Sequence, residues 1–252
     1  MSRLTHQNAT RGHQGDDVAA LLAQAEALCR TVARRDLADT PLYVVPQSSL
    51  PAECGSGDHC FAFTAPSLDI YLRDHIPGWR GRGPCMVVND AGLAEDYERE
   101  DLAYVVPAYV LHELAHILDR PALFADRSGV DPSRLKFEAL VVADVTRRPV
   151  RDDLPAYFGH GHSFIRIAVH LCHRAQQAGF DVCPAAICAG YRYGLSHASR
   201  YVDALGDEPR RCADWLFRDI LAAKPPWAFS RLWTEDVVSY HQRFPFQKGS
   251  AS

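Results

Sequence analysis

Val18, Leu21, Leu22, Ala25, Leu28, Cys29 and Val32 recur at three- and four-residue intervals, the period of one face of an α-helix. Asp16 or Asp17 can cap that face, so the pattern predicts a helix over 16–35. Residues 1–15 are rich in Gly, Asn, Gln and His and show no apolar period; a disordered arm is expected there. Short apolar runs follow at 42–45, 67–72 and 85–88, bounded by Pro, Gly and Ser. Runs of that length between turn residues predict strands.

A longer apolar stretch occupies 105–119 and predicts a helix. Pro107 fits its first helical position, where a missing N–H costs little, and Pro121 disfavours helix at the residue before it. The acidic run 95–101 lies just upstream, where the helix dipole favours carboxylates, so a structural role is expected for it. A second helix is predicted over 131–145, with Asp131 as cap and Pro132 at its first position, carrying Phe137, Glu138, Leu140, Val141 and Val145. A third follows over 163–177, with Phe164, Ile167, Ala168 and Leu171 inward. On that helix Arg166, His170, His173 and Arg174 share a face expected to be solvated or hydrogen-bonded surface. The C-terminal quarter predicts helical pieces at 208–223 and 228–242, anchored by Trp215, Trp227 and Trp233. Strands precede helices and neither repeat nor linker interrupts them, so the expectation is one α+β domain over 16–252.

Composition narrows the classes. The chain has 252 residues, 47% hydrophobic and 23% charged, with a net charge of -4. That suits a globular protein with a real core and supplies no global basic field for nucleic acid or membrane. Nucleic acid is therefore a partner that net charge does not support. Arg greatly outnumbers Lys, which can reflect anion recognition or genomic base composition. The polar N-terminus lacks a signal core and no apolar run approaches a membrane span, so a soluble, cytoplasmic protein is expected. Eight cysteines are then expected to be reduced. Of the pairs Cys54/Cys60 and Cys183/Cys188, only the second falls in the spacing range of a structural zinc knuckle, and ordinary core thiols are the expectation.

The chemistry concentrates in His112-Glu113-Leu114-Ala115-His116. Side chains four apart on a helix lie one above the other. Two neutral imidazoles so placed can bind zinc, and the intervening carboxylate can reach a water on the ion. H-E-x-x-H is the zincin metallopeptidase signature, and a buried helix with two imidazoles and a carboxylate is costly unless they share a ligand.

A catalytic zinc takes three protein ligands, and the sequence offers two sources for the third. The run Gly159-His160-Gly161-His162-Ser163-Phe164 resembles the G-H-G-x-x-F segment of SprT-like (Spartan-type) metalloproteases. That resemblance implies a zincin-like fold, one Zn2+ held by His112, His116 and His160, Glu113 as general base, and Phe164 as anchor of the following helix. It covers these two short segments and the helix order, and the 44 positions from His116 to His160 exceed the usual family spacing. The alternative is Glu138, 22 positions after His116. A Glu on the next helix at such a distance resembles the gluzincins, including thermolysin-like and ImmA/IrrE-type proteins.

His162, Tyr157 and Arg166 are candidate contacts to substrate or transition state, as is Tyr191-Arg192-Tyr193. The resulting expectation is a zinc-dependent metallopeptidase acting on a protein or peptide. The competing one is an ImmA/IrrE-like zincin regulator, or a binding domain that zinc only stabilises.

Overall fold

The computed structural model describes residues 3–54, 61–124, 160–188 and 198–243. The expected helix over 131–145, Glu138, Tyr157 and Tyr191-Arg192-Tyr193 lie outside them. Among the described residues the architecture is mixed α+β: mostly helix, with a small three-stranded sheet. No helix among them is long and apolar enough to cross a membrane.

Helix α1 (Arg3–Val32) buries the expected stripe of Val18, Leu22, Ala25, Leu28, Cys29 and Val32. Its backbone continues helical to Arg3, through residues expected to form an arm; extending a helix costs far less than starting one. A short turn, α2 (Arg34–Leu37), follows. The sheet has the order β1-β3-β2. Strand β1 (Tyr43–Pro46) runs parallel to β3 (Cys85–Val88), with Tyr43 opposite Cys85 and Val45 opposite Val87. Strand β2 (Ala62–Thr64) pairs antiparallel on the other side of β3, Phe63 opposite Val87.

All four residues of β3 are buried, as a central strand covered on both faces requires. Met86 and Val88 join the large core beneath the helices, while Cys85 and Val87 face a smaller core with Tyr43, Val45, Phe63, Leu68 and Leu72. Gly83 leads into β3 where a Cβ would lie 2.0 Å from the Pro41 carbonyl oxygen, so only glycine permits that approach to β1.

The run 67–72, expected as a strand, forms the helical turn α3 (Leu68–Tyr71) instead. Ser67 sits in the left-handed region at φ 68°, which ends extended backbone. Asp69 is buried and its carboxylate accepts from Arg82 Nε and Gly83 N, both at 3.0 Å. That tertiary bond overrides the local β preference. The third strand is β2, too short to leave a period.

Helix α4 (Asp90–Asp96) is capped by Asn89, whose side chain accepts from Gly92 N. Helix α5 (Arg99–Asp119) carries the H-E-x-x-H signature and begins eight residues before Pro107. Pro107 therefore lies inside the helix, not at its first position. The carbonyl its ring cannot serve belongs to Ala103, on the exposed side, where water can satisfy it. Glu100 and Asp101 occupy the first turn, as the dipole favours. From Val106 onward nearly every side of α5 is buried; α1, β2 and β3 pack against it.

After α6 (Pro121–Phe124), helix α7 (His162–Gln177) packs on α5 with Phe164, Ile165, Ile167, Ala168 and Leu171 buried. The short helix α8 (Pro184–Ile187) packs against both. The C-terminal part comprises α9 (Ala198–Leu205), α10 (Glu208–Arg211), α11 (Phe217–Ala222) and α12 (Trp227–Arg243). The expected continuous piece at 208–223 is thus two short helices. Trp215 and Trp227 are 43% and 71% exposed and do not anchor it; Phe217, Ile220 and Phe229 do. Cys183 and Cys188, like Cys29, Cys85, Cys172 and Cys212, are free thiols.

Candidate metal centre

Helix α5 is central because it is apolar almost all round, and that burial brings His112 and Glu113 below 10% exposure. His112 and His116 sit one turn apart. His160 arrives from the residues just before α7. The three rings form a nearly equilateral set, with centroids 4.9 Å apart for His112–His116, 5.0 Å for His112–His160 and 4.8 Å for His116–His160. Their Nε2 atoms converge: His116 Nε2 lies 3.2 Å and His160 Nε2 3.1 Å from His112 Nε2. The ligand atoms of all three residues lie within 4.8 Å of one another.

The His112 tautomer follows from its partner. Nδ1 lies 2.7 Å from the Ile187 carbonyl oxygen, which can only accept, so Nδ1 carries the proton and donates it. A neutral imidazole has one N–H; His112 Nε2 therefore presents a lone pair. Desolvation pulls His112 down to a pKa of about 4, against the opposing hydrogen bond to Ile187, so the ring is neutral at pH 7. A neutral imidazole oriented by a carbonyl at its far nitrogen is the state a metal ligand needs.

The residues fit a metal ion. Three nitrogens 3.1–3.2 Å apart about His112 match the roughly 3.3 Å edge of a tetrahedron with metal–nitrogen bonds of 2.0–2.1 Å. His112 Nε2 turns its lone pair toward both other ring nitrogens, which face it at 3.2 and 3.1 Å. His112, His116 and His160 can thus hold a metal ion. Glu113 is buried in the same turn of α5.

Phe164 forms the floor. It is fully buried, and its ring centroid lies 5.0, 4.4 and 4.8 Å from those of His112, His116 and His160. Gly161 caps α7 through its carbonyl, which accepts from Ile165 N at 3.1 Å. That bond fixes His160 and Phe164 relative to one another.

The other candidates separate. His162 is exposed, with its ring 6.0 Å from that of Trp233, outside the imidazole group. Arg166 is buried and directed elsewhere: Nε donates to Glu208 at 2.8 Å and Nη1 to the Ala223 carbonyl at 2.8 Å. These bonds tie α7 to the C-terminal helices. His170 is also fully buried, with Nε2 2.9 Å from the same Glu208 oxygen. Of the face expected as solvated or hydrogen-bonded surface, Arg166 and His170 are therefore buried against Glu208, while His173 and Arg174 are half-buried. Glu208 reaches it from far along the chain, which no local pattern on α7 shows. Two features of the site escaped the sequence as well. The Ile187 carbonyl is a backbone group without residue signature, and the contact of Phe164 with all three rings depends on how α5 and α7 cross.

Comparison with family models, curated proteins and solved structures finds no match to this chain.

Proposed function

We propose that this chain is a zinc-dependent metallopeptidase of zincin type, hydrolysing peptide bonds in a protein or peptide. The observation that carries the reading is the convergence of three imidazole nitrogens beside a buried glutamate, two of them and the glutamate on one helical turn. The H-E-x-x-H spacing and the resemblance of Gly159 to Phe164 to the SprT-like segment point the same way. Three nitrogen ligands of this kind suit zinc and leave a coordination position open.

His112, His116 and His160 would hold the ion, their Nε2 atoms being the ones that converge. Zinc bound there supplies an acidified water and a polarised carbonyl. The chain does the rest. The Ile187 carbonyl fixes the His112 tautomer, and Phe164 fixes the ring planes. The Glu113 carboxylate takes a proton from the attacking water and returns it to the leaving amine nitrogen. One water is consumed, and an acid and an amine are released.

Glu113→Gln, which keeps shape but cannot accept a proton, tests the assignment. The expected result is loss of chelator-sensitive hydrolysis of an unfolded protein substrate with zinc stoichiometry kept near one. Hydrolysis retained in that variant removes the general-base role. A parent protein that binds zinc, melts on chelation and never cleaves belongs instead to a regulatory or zinc-stabilised binding class.

A further inference from the structure

At the far end of α7 from the histidines, a cavity of about 320 Å³ opens between the end of α1, α2, and the turn that follows α10. Arg34, Arg35, Arg174, Gln177 and Trp215 line it. Arg174 is built into the fold: it donates to the carbonyls of Val32 at 2.8 Å and Trp215 at 2.6 Å, and its guanidinium lies 4.2 Å from the Phe217 ring centre. It closes the exposed carbonyl ends of α1 and of that turn. Arg35 is held by one bond, from Nη1 to the Asp214 carbonyl.

Arg34 and Gln177 are different. Among the described residues no carboxylate or carbonyl accepts from either side chain, and both are exposed. Charge is in surplus. Arg35, Arg174 and Arg218 act on the Asp36 carboxylate, and Asp214 compensates Arg174. The cavity lining itself carries three guanidiniums, Arg34, Arg35 and Arg174, against the single carboxylate of Asp214. Asp36 is already engaged, accepting from Phe217 N at 2.7 Å. Trp215 lines the same cavity and is 43% exposed.

Open guanidinium forks bind phosphate or carboxylate in paired bonds, and an exposed indole stacks planar rings. The volume lies at the small end of ligand sites, with room for one ring system and one anionic group. We propose that this cavity binds a small aromatic phosphate of the mononucleotide class, with its phosphate on Arg34 and Arg35 and its ring on Trp215. The site is separate from the imidazole group and stands independently of any peptidase activity.

Calorimetric titration of the full chain with adenosine 5'-monophosphate, guanosine 5'-monophosphate, adenosine and inorganic phosphate tests it. A saturable mononucleotide isotherm is expected, with adenosine and phosphate each at least about tenfold weaker, since each lacks one half of the recognition; tenfold is about 1.4 kcal/mol. Arg34→Gln/Arg35→Gln should weaken the mononucleotide about tenfold or more, and Trp215→Ala similarly, with unchanged circular dichroism. Should the double variant fail to fold, Arg34→Gln alone, at a side chain with no described partner, carries the same test. Absence of saturable mononucleotide binding overturns the proposal. So does binding that survives these variants undiminished, or phosphate that binds as tightly as the nucleotides.

Discussion

Phe164→Ala is the perturbation that separates a floor built for three imidazoles from an ordinary core phenylalanine. The ring is fully buried and touches His112, His116 and His160 with centroids 4.4–5.0 Å away. Truncating such a phenylalanine removes its transfer energy and leaves a cavity, about 3–5 kcal/mol in total. For a chain of this size each kcal/mol moves the melting temperature by about 2–4 °C, so the apo protein should melt roughly 6–20 °C lower. A second effect is specific to the site. The rings lose the surface that sets their planes, as when an oriented ligand loses its outer support, and zinc affinity should fall about 10–100-fold. Phe164→Leu keeps most of the apolar volume and should cost roughly half as much stability or less. Its aliphatic side chain offers no flat face, so the affinity loss should persist. The assay is thermal melting with chelator and with excess zinc, together with competition titration of zinc by a chromophoric chelator. A Phe164→Ala protein that melts within about 2 °C of the parent and holds zinc equally tightly would refute the account of the floor. If Phe164→Leu restored both properties, the contact would be packing and nothing more.

Removal of the metal should itself be visible. With free zinc at 100 times its dissociation constant, binding adds about 2.7 kcal/mol, or roughly 5–10 °C at this size; identical melting curves with and without chelator would contradict it. Glu208→Ala strands the buried Arg166 guanidinium and should cost about 3–5 kcal/mol. Combining it with Arg166→Met and His170→Leu should restore much of that loss in urea unfolding, and a triple variant no better than the single one would count against an ion-pair origin. Stability should also fall on acidification in two steps. Desolvation lowers His170 below its ordinary 6.5, outweighing the help from Glu208, and lowers His112 to about 4, so the unfolded chain takes these protons first and the metal-free protein loses stability as pH falls below about 6.5. Desolvation also acts to raise Glu208, but its bonds from His170 and Arg166 prevail and hold it below its ordinary 4.5. Its contribution is complete above about 4.5 and is lost as pH falls through the lower folded value. Melting temperatures of the metal-free protein from pH 8 to about 2 check this, and a profile that rises on acidification would reject it.

The imidazole pair and the buried carboxylate were legible because helix geometry is local. Four positions on an apolar helix fix which side chains stack, whatever the rest of the chain does. The same holds for the stripe of α1 and for β3, whose four buried residues read as a short apolar run. Sequence alone left the third ligand between His160 and Glu138, since nothing local ranks two groups that reach the same point from different distances along the chain. The packing of α7 on α5 is what brings His160 Nε2 within 3.1 Å of His112. Tertiary structure likewise turned the expected strand at 67–72 into a helical turn through the Asp69 bonds. It placed Pro107 inside a helix whose first turns the rest of the molecule supports. It also turned a polar face of α7 inward once Glu208 was there to satisfy it. The partners lie from 13 positions away, for Asp69 and Arg82, to 48, for His112 and His160, and a local pattern carries no information about a group that only the completed fold brings near.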